Sequence, residues 1–218
     1  MDILTNIRRI KNELPDGVKL IVVSKTKPPE RVMEAYSAGH RIFGENKVQE
    51  LVDKKNKLPE DIEWHMIGHL QSNKVKYIAP FVNLIHSVDS FKLLKEIDKE
   101  ARKNNRIIPL LLQIHIAMEE TKFGLDFKEA IDLVNSSALK DLKNISIKGL
   151  MGMATNTEDE VIVRREFRAL AAFHQELRQI LKNDTFTELS MGMSADYKIA
   201  VEEGSTMVRI GSTICGSR

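Results

Sequence analysis

Eight short apolar runs, each followed by a polar turn and an amphipathic stretch, recur along this chain. They are LIVVS (20–24), RIFGEN (41–46), WHMIG (64–68), LIHSV (84–88), PLLLQIHI (109–116), IKGLMGM (147–153), ELSMGM (188–193) and MVRIGS (207–212). Runs this short and rich in Ile, Val and Leu read as strands buried on both faces. The stretches between them carry helical signals. Asp89 or Ser90 can cap a helix whose stripe is Leu93, Leu94, Ile97 and Ala101. Asp126 and Glu129 have capping-box spacing ahead of Ala130, Ile131 and Val134. Pro28 and Pro29 suit the entry to a helix that Gly39 closes. The longest helical pattern covers 158–182, a short one covers 195–203 and ends at Gly204, and another near 2–14 precedes the first strand.

Strands alternating with helices leave an open doubly wound sheet or a closed ring. The open form usually shows a Gly-rich turn after its first strand, whereas LIVVS runs directly into SKTKPP. Eight units in 218 residues suit closure. The expected fold class is therefore α/β, a (β/α)8 TIM barrel with an extra N-terminal helix. No Ser/Gly linker or low-complexity tract divides the chain, so 1–218 is expected to be one domain.

Hydrophobic residues make up 42% and charged residues 29%, as in ordinary globular proteins. No apolar run reaches the ~18–20 residues a membrane span needs, and the start lacks the apolar core of a secretory signal. Cys215, the one cysteine, has no internal partner for a disulfide. A cytoplasmic protein is expected. The net charge of +2 comes from 33 basic and 31 acidic residues, interspersed, and aromatics are 6%. Neither a basic stripe nor a stacking platform marks nucleic acid as a partner.

In a parallel barrel, functional groups belong at the C-terminal ends of strands. The polar residues there include Ser24, Lys25, Glu45, Asn46, His65, Asp89, His115, Ser190, Ser194, Arg209 and Ser212. Lys25, at the end of LIVVS, is placed at the mouth, where a shielded amine suits Schiff-base chemistry. Lys27 shares its strand face by period two, so position leaves both lysines open, and both equally fit plain solvent exposure. Ser194, Arg209, Gly211 and Ser212 fit a phosphate grip between the last two strands. Ser194 alone reads as an N-cap and Gly211 alone as a turn glycine. His65 and His69 have H-x₃-H spacing on a strand end and loop, without the accompanying ligands of a metal site. Met151, Met153, Met191 and Met193 read as core, while Gly152 and Gly192 allow close approach of a backbone or ligand.

VSKTKP (23–28), FGENKVQE (43–50), WHMIGHLQSNK (64–74), KGLMGM (148–153), LSMGMSAD (189–196) and GSTMVRIGS (204–212) resemble, in order, the pyridoxal-phosphate homeostasis proteins. The resemblance implies a fold-type III barrel similar to the cofactor domain of alanine racemase, with pyridoxal 5′-phosphate as cofactor. It implies a Schiff base on Lys25, Asn46 and His65 beside the ring, and Ser194, Gly211 and Ser212 on the phosphate. It also implies Arg209 at the pyridine nitrogen, where a guanidinium weakens the ring as an electron sink. The segment IHIAMEETKFG departs from the family at His115 and Ala117, which leaves a role for Lys122 open.

Custody of the cofactor, as a monomer that buffers it or passes it to apo-enzymes, is expected over racemase-like catalysis. Racemases use a second β-rich domain and a tyrosine acid/base from a partner subunit. Here the eighth run lies close to Arg218, and of Tyr36, Tyr77 and Tyr197 only Tyr197 falls in a mouth loop. A metal-dependent hydrolase is not expected, because the first strand offers no ligand pair.

Overall fold

The computed structural model describes residues 2–119 and 121–216. A first helix, α1 (Ile3–Glu13), precedes β1 (Lys19–Val23), α2 (Pro29–Ser37), β2 (Ile42–Glu45), α3 (Val48–Lys55) and β3 (Glu63–Met66). A one-turn helix, α4 (Val75–Ile78), leads to β4 (Leu84–Val88), α5 (Phe91–Lys103), β5 (Ile108–Ile114) and α6 (Phe127–Asn135). Then come β6 (Ile145–Gly152), α7 (Glu160–Leu181), β7 (Glu188–Met193), α8 (Tyr197–Glu202), β8 (Met207–Ile210) and α9 (Ser212–Cys215). Consecutive strands pair in parallel, and β1 pairs with β8 to close the ring. This is the expected α/β class and the expected closed barrel with its N-terminal helix.

Local chemistry explains the helix starts. Of the two candidate caps for α5, Ser90 is the one used, its hydroxyl accepting from the Leu93 N–H at 3.3 Å. The α6 capping box is complete: Asp126 accepts from the Glu129 N–H at 2.7 Å, and Glu129 accepts from the Asp126 N–H at 2.9 Å. Pro29 opens α2, and Gly39 follows its end at φ +80°. The short helix expected at 195–203 begins later, at Tyr197, with Asp196 as its cap residue. Ser194 therefore lies in the preceding turn and is not an N-cap.

Period-two alternation splits the core into two layers. Ile21, Leu84, Leu111, Met151 and Met207 fill the barrel interior, while Val22, Phe43, Trp64, Ile85 and Leu150 face outward into the larger layer beneath the helices. The interior also holds a polar column. His65 Nδ1 lies 3.0 Å from His86 Nε2, and His86 Nδ1 lies 2.9 Å from the Ser190 hydroxyl. That hydroxyl accepts from Arg209 at 2.6 Å. Burial pushes the His65 ring down to about 3 and the His86 ring well below its ordinary value, so both are neutral near pH 7.

Two glycines anticipated as points of close approach receive helices: a Cβ on Gly152 would lie 2.6 Å from Leu170 of α7, and one on Gly192 2.6 Å from Ala200 of α8. Gly149 is tighter still, because a Cβ there would lie 1.7 Å from the Glu188 carbonyl oxygen across the β6–β7 pairing. Gly149→Ala is accordingly expected to destabilise the fold by about 3 kcal/mol, read as a lower urea midpoint.

Buried histidines also set a pH response. His40, beneath the α2–β2 turn, donates from Nε2 to the Ile42 carbonyl at 2.8 Å and is pushed by burial from 6.5 to about 4. Unfolded, such rings take up protons near pH 6.5; folded, His40 and His65 resist until about 4 and about 3. The unfolded state binds more protons between these values, so stability present above pH 6.5 is lost as pH falls toward 4 and below. His40→Gln should remove about one proton, or ~1.4 kcal/mol per pH unit, from that slope in urea titrations between about pH 6 and 4.5.

Candidate functional site

The strand ends surround a cavity of about 350 Å³ at the barrel mouth. One wall begins where β1 stops. The Ser24 N–H still pairs with the Gly44 carbonyl at 3.1 Å, and the chain then turns, the Lys27 N–H bonding the Ser24 carbonyl at 3.0 Å. Thr26, inside that turn, takes a left-handed φ of +63°, uncommon for a β-branched residue. Lys25 continues the inward series Ile21 and Val23 and lines the cavity, half-buried. Lys27 lines it as well, from beyond the turn.

Asn46 projects from the end of β2 into the same cavity. Gly68 packs against its backbone; a Cβ there would lie 2.3 Å from the Asn46 carbonyl oxygen. Ile67, Met153 and Met193 supply the apolar lining.

Arg209 is buried on the cavity side of β8. Its guanidinium donates to the Ser190 carbonyl at 2.8 Å, the Ser190 hydroxyl at 2.6 Å and the Gly152 carbonyl at 3.0 Å. Burial pushes it down to about 10, opposed by Asp196, so it remains a cation at neutral pH.

Ser194, Gly211 and Ser212 come together at the far side. The Ser194 hydroxyl accepts from the N–H groups of Gly211 at 3.3 Å and Thr213 at 3.5 Å. These long bonds occupy N–H groups at the start of α9, where no helical carbonyl is in reach. Such a group of backbone N–H groups and two hydroxyls could cradle an anion. Gly211 keeps it close to β1, since a Cβ there would lie 3.3 Å from the Val23 Cβ.

His65 is the correction. It does not line this cavity; Ile67, two residues on and facing the same way, occupies that level. His65 faces a hollow at the opposite end of the barrel and reaches the mouth only through His86, Ser190 and Arg209. His115 and Lys122 also lie outside the cavity lining. His115 Nε2 is 3.0 Å from the Glu119 carbonyl, and Lys122 donates to the Ala154 carbonyl at 2.7 Å. Tyr197 turns its hydroxyl away from the mouth, donating to the Glu13 carboxylate of α1. Burial and that carboxylate push the phenol up to about 12. Among the described residues no cluster of His, Cys, Asp or Glu could hold a metal ion, and Cys215 is buried.

Two parts of the site were not anticipated. Only the closed barrel brings His86 of β4 beside Ser190 of β7, behind Arg209. The left-handed Thr26 turn carries no Gly or Asn to signal it.

The family profile described as alanine racemase, N-terminal domain, matches residues 2–218. The pyridoxal phosphate homeostasis protein of Aquifex aeolicus is 42% identical, over 92% of this chain and 87% of that protein. PipY of Synechococcus elongatus is 36% identical and covers 99% of this chain and 100% of its own; its structures without and with PLP bound superpose with TM-scores of 0.93 and 0.89. An alanine racemase from Clostridium difficile shares the fold at a TM-score of 0.77 and 14% identity, this chain covering 98% of itself and 55% of the enzyme. A profile that spans the chain and relatives this similar over nearly their whole length agree with the barrel: the chain belongs to the family of pyridoxal phosphate homeostasis proteins, built on the alanine racemase N-terminal domain.

Proposed function

We propose that this protein binds pyridoxal 5′-phosphate at the barrel mouth, linked to Lys25, and in the cytoplasm buffers it or passes it to apo-enzymes without turning over a substrate of its own. The observation that carries the reading is one cavity holding the Lys25 amine, the Arg209 cation and the cradle of Ser194, Gly211 and Ser212. The donor set fits the group: N–H groups and hydroxyls for a phosphate, a guanidinium for a ring nitrogen, and an amine for an aldehyde. The names of the relatives and the PLP-bound PipY structure support it. The cofactor supplies an aldehyde that condenses reversibly with a primary amine.

The chain's own residues supply the rest. Lys25 gives the amine, and Asn46 flanks it. Ser194 and the first N–H groups of α9 would orient and hold the phosphate. Arg209, fixed by three hydrogen bonds, would place a cation beside the ring nitrogen and disfavour the protonation there that carbanion chemistry relies on. Racemisation needs an acid/base opposite the lysine, and Tyr197 is committed to Glu13. Exchange of one amine for another needs neither that group nor a site closed to water.

Borohydride reduction of the loaded protein should fix a pyridoxyl group on the peptide carrying Lys25; mapping to Lys27 instead, or retention of the Schiff-base absorption band by Lys25→Ala, would reject the assignment. Losing the Ser194 hydroxyl should weaken cofactor binding about tenfold, and pyridoxal without phosphate should bind far more weakly. Equal titrations for the two vitamers would dismiss the cradle. The loaded protein should activate an apo-enzyme that requires the cofactor, yet leave the α-hydrogen of alanine unexchanged in deuterium oxide. Sustained Lys25-dependent exchange would establish catalysis.

A further inference from the structure

Behind the β1 turn, on the opposite side from the cavity, lies a buried ion cluster that the mouth does not use. Glu45, on the outward face of β2, is fully buried, and Lys54 of α3 is 3% exposed. The Lys54 ammonium has three donors, and three acceptors meet them: the Ser24 carbonyl at 2.7 Å, Glu45 Oε1 at 2.7 Å and Glu50 Oε1 at 2.9 Å. The same Glu45 oxygen accepts from the Ser24 hydroxyl at 2.6 Å. The same Glu50 oxygen accepts from the Thr26 N–H at 2.5 Å.

A buried ion pair is costly to assemble and contributes little net stability compared with apolar packing, so its geometry asks for another explanation. Its contacts fall on the two residues that flank Lys25. Ser24 is held through both its carbonyl and its hydroxyl, and Thr26 through its N–H. Thr26 is also the residue in the left-handed region, a conformation that persists only when the surroundings over-determine it. One Glu45 oxygen, Oε2, is buried without a partner, and burial pushes this carboxyl up against the pull of Lys54. The cluster thus accepts an unsatisfied group while holding the turn.

We infer that Lys54 and Glu50 are positioning residues for Lys25, clamping the peptide units on either side of it so that its amine is presented into the mouth cavity. This rests on the reading of Lys25 as the point of cofactor attachment. Neither residue touches the cavity: each acts through the backbone of the turn.

Glu50 is the member to vary, because its side chain is 23% exposed and its loss leaves Lys54 paired with Glu45. Two ligands separate positioning from general damage. Pyridoxal 5′-phosphate requires the Lys25 amine, whereas pyridoxamine 5′-phosphate carries an amine in place of the aldehyde and uses only the cradle and the ring contacts. For Glu50→Ala, attachment of pyridoxal phosphate, followed by stopped-flow absorbance, should slow about tenfold or more. Its affinity for pyridoxamine phosphate should stay unchanged. Glu50→Gln, which keeps an oxygen for the Thr26 N–H, should recover most of the rate. Equal losses for both ligands, or no recovery by glutamine, would overturn the inference. With wild-type protein run alongside, attachment by Glu50→Ala at the wild-type rate overturns the positioning role alone. No attachment by the wild type removes the cofactor reading and this inference together.

Discussion

The pairing of the first strand with the last is the constraint on which the site depends. Lys19 through Val22 run in register with Met207 through Ile210, and this closure sets the end of β1 beside the exit of β8. The amine of Lys25 and the N–H groups after Ile210 are about as far apart in sequence as two parts of this fold can be. They share a cavity only because the ring is shut, and the close packing of Gly211 on Val23 keeps them there. Strand alternation then decides what faces inward at Asn46 and Arg209, whereas Lys25 reaches the cavity through the turn that follows β1.

The barrel interior shows what that arrangement costs. A buried guanidinium must be satisfied on every side to remain charged. Arg209 uses the Ser190 carbonyl and hydroxyl and the Gly152 carbonyl, and the Ser190 hydroxyl in turn meets the neutral His86 ring, which meets His65. A column of uncharged rings stabilises the cation by orientation while adding no competing charge to the small interior. The same burial that keeps those rings neutral ties the stability of the barrel to pH.

The strands were legible because period-two burial and apolar runs belong to each segment alone. Each of the eight apolar runs falls on a strand, although β1, β3, β5 and β6 begin one or two residues before their runs, and the signals of Ser90, the Asp126–Glu129 pair and Gly39 act within one helical turn. The lining of the mouth cavity was legible where an inward-facing residue lies at a strand end, as Asn46, Arg209 and Gly211 do, with Lys25 just beyond β1. It was misplaced at His65 because a strand-end residue can lie one inward level too deep, and only the stacking of neighbouring strands reveals which level opens to the mouth. The Thr26 turn was illegible because it is imposed from outside its own segment, by Glu50 of α3. Taken alone, Ser194 reads as a cap from its distance to the helix, whereas its partners are the N–H groups of a different segment, Gly211 and Thr213.

One feature of the ring has a wider electrical effect. Since the strands are parallel and their helices return antiparallel to them, the helices that follow the strands begin at the mouth end. Each contributes part of a positive charge at its first turn. The backbone alone therefore makes this opening attractive to anions before any side chain is counted. A chain whose formal charge is only +2 thus offers a phosphorylated ligand a favourable opening through its backbone.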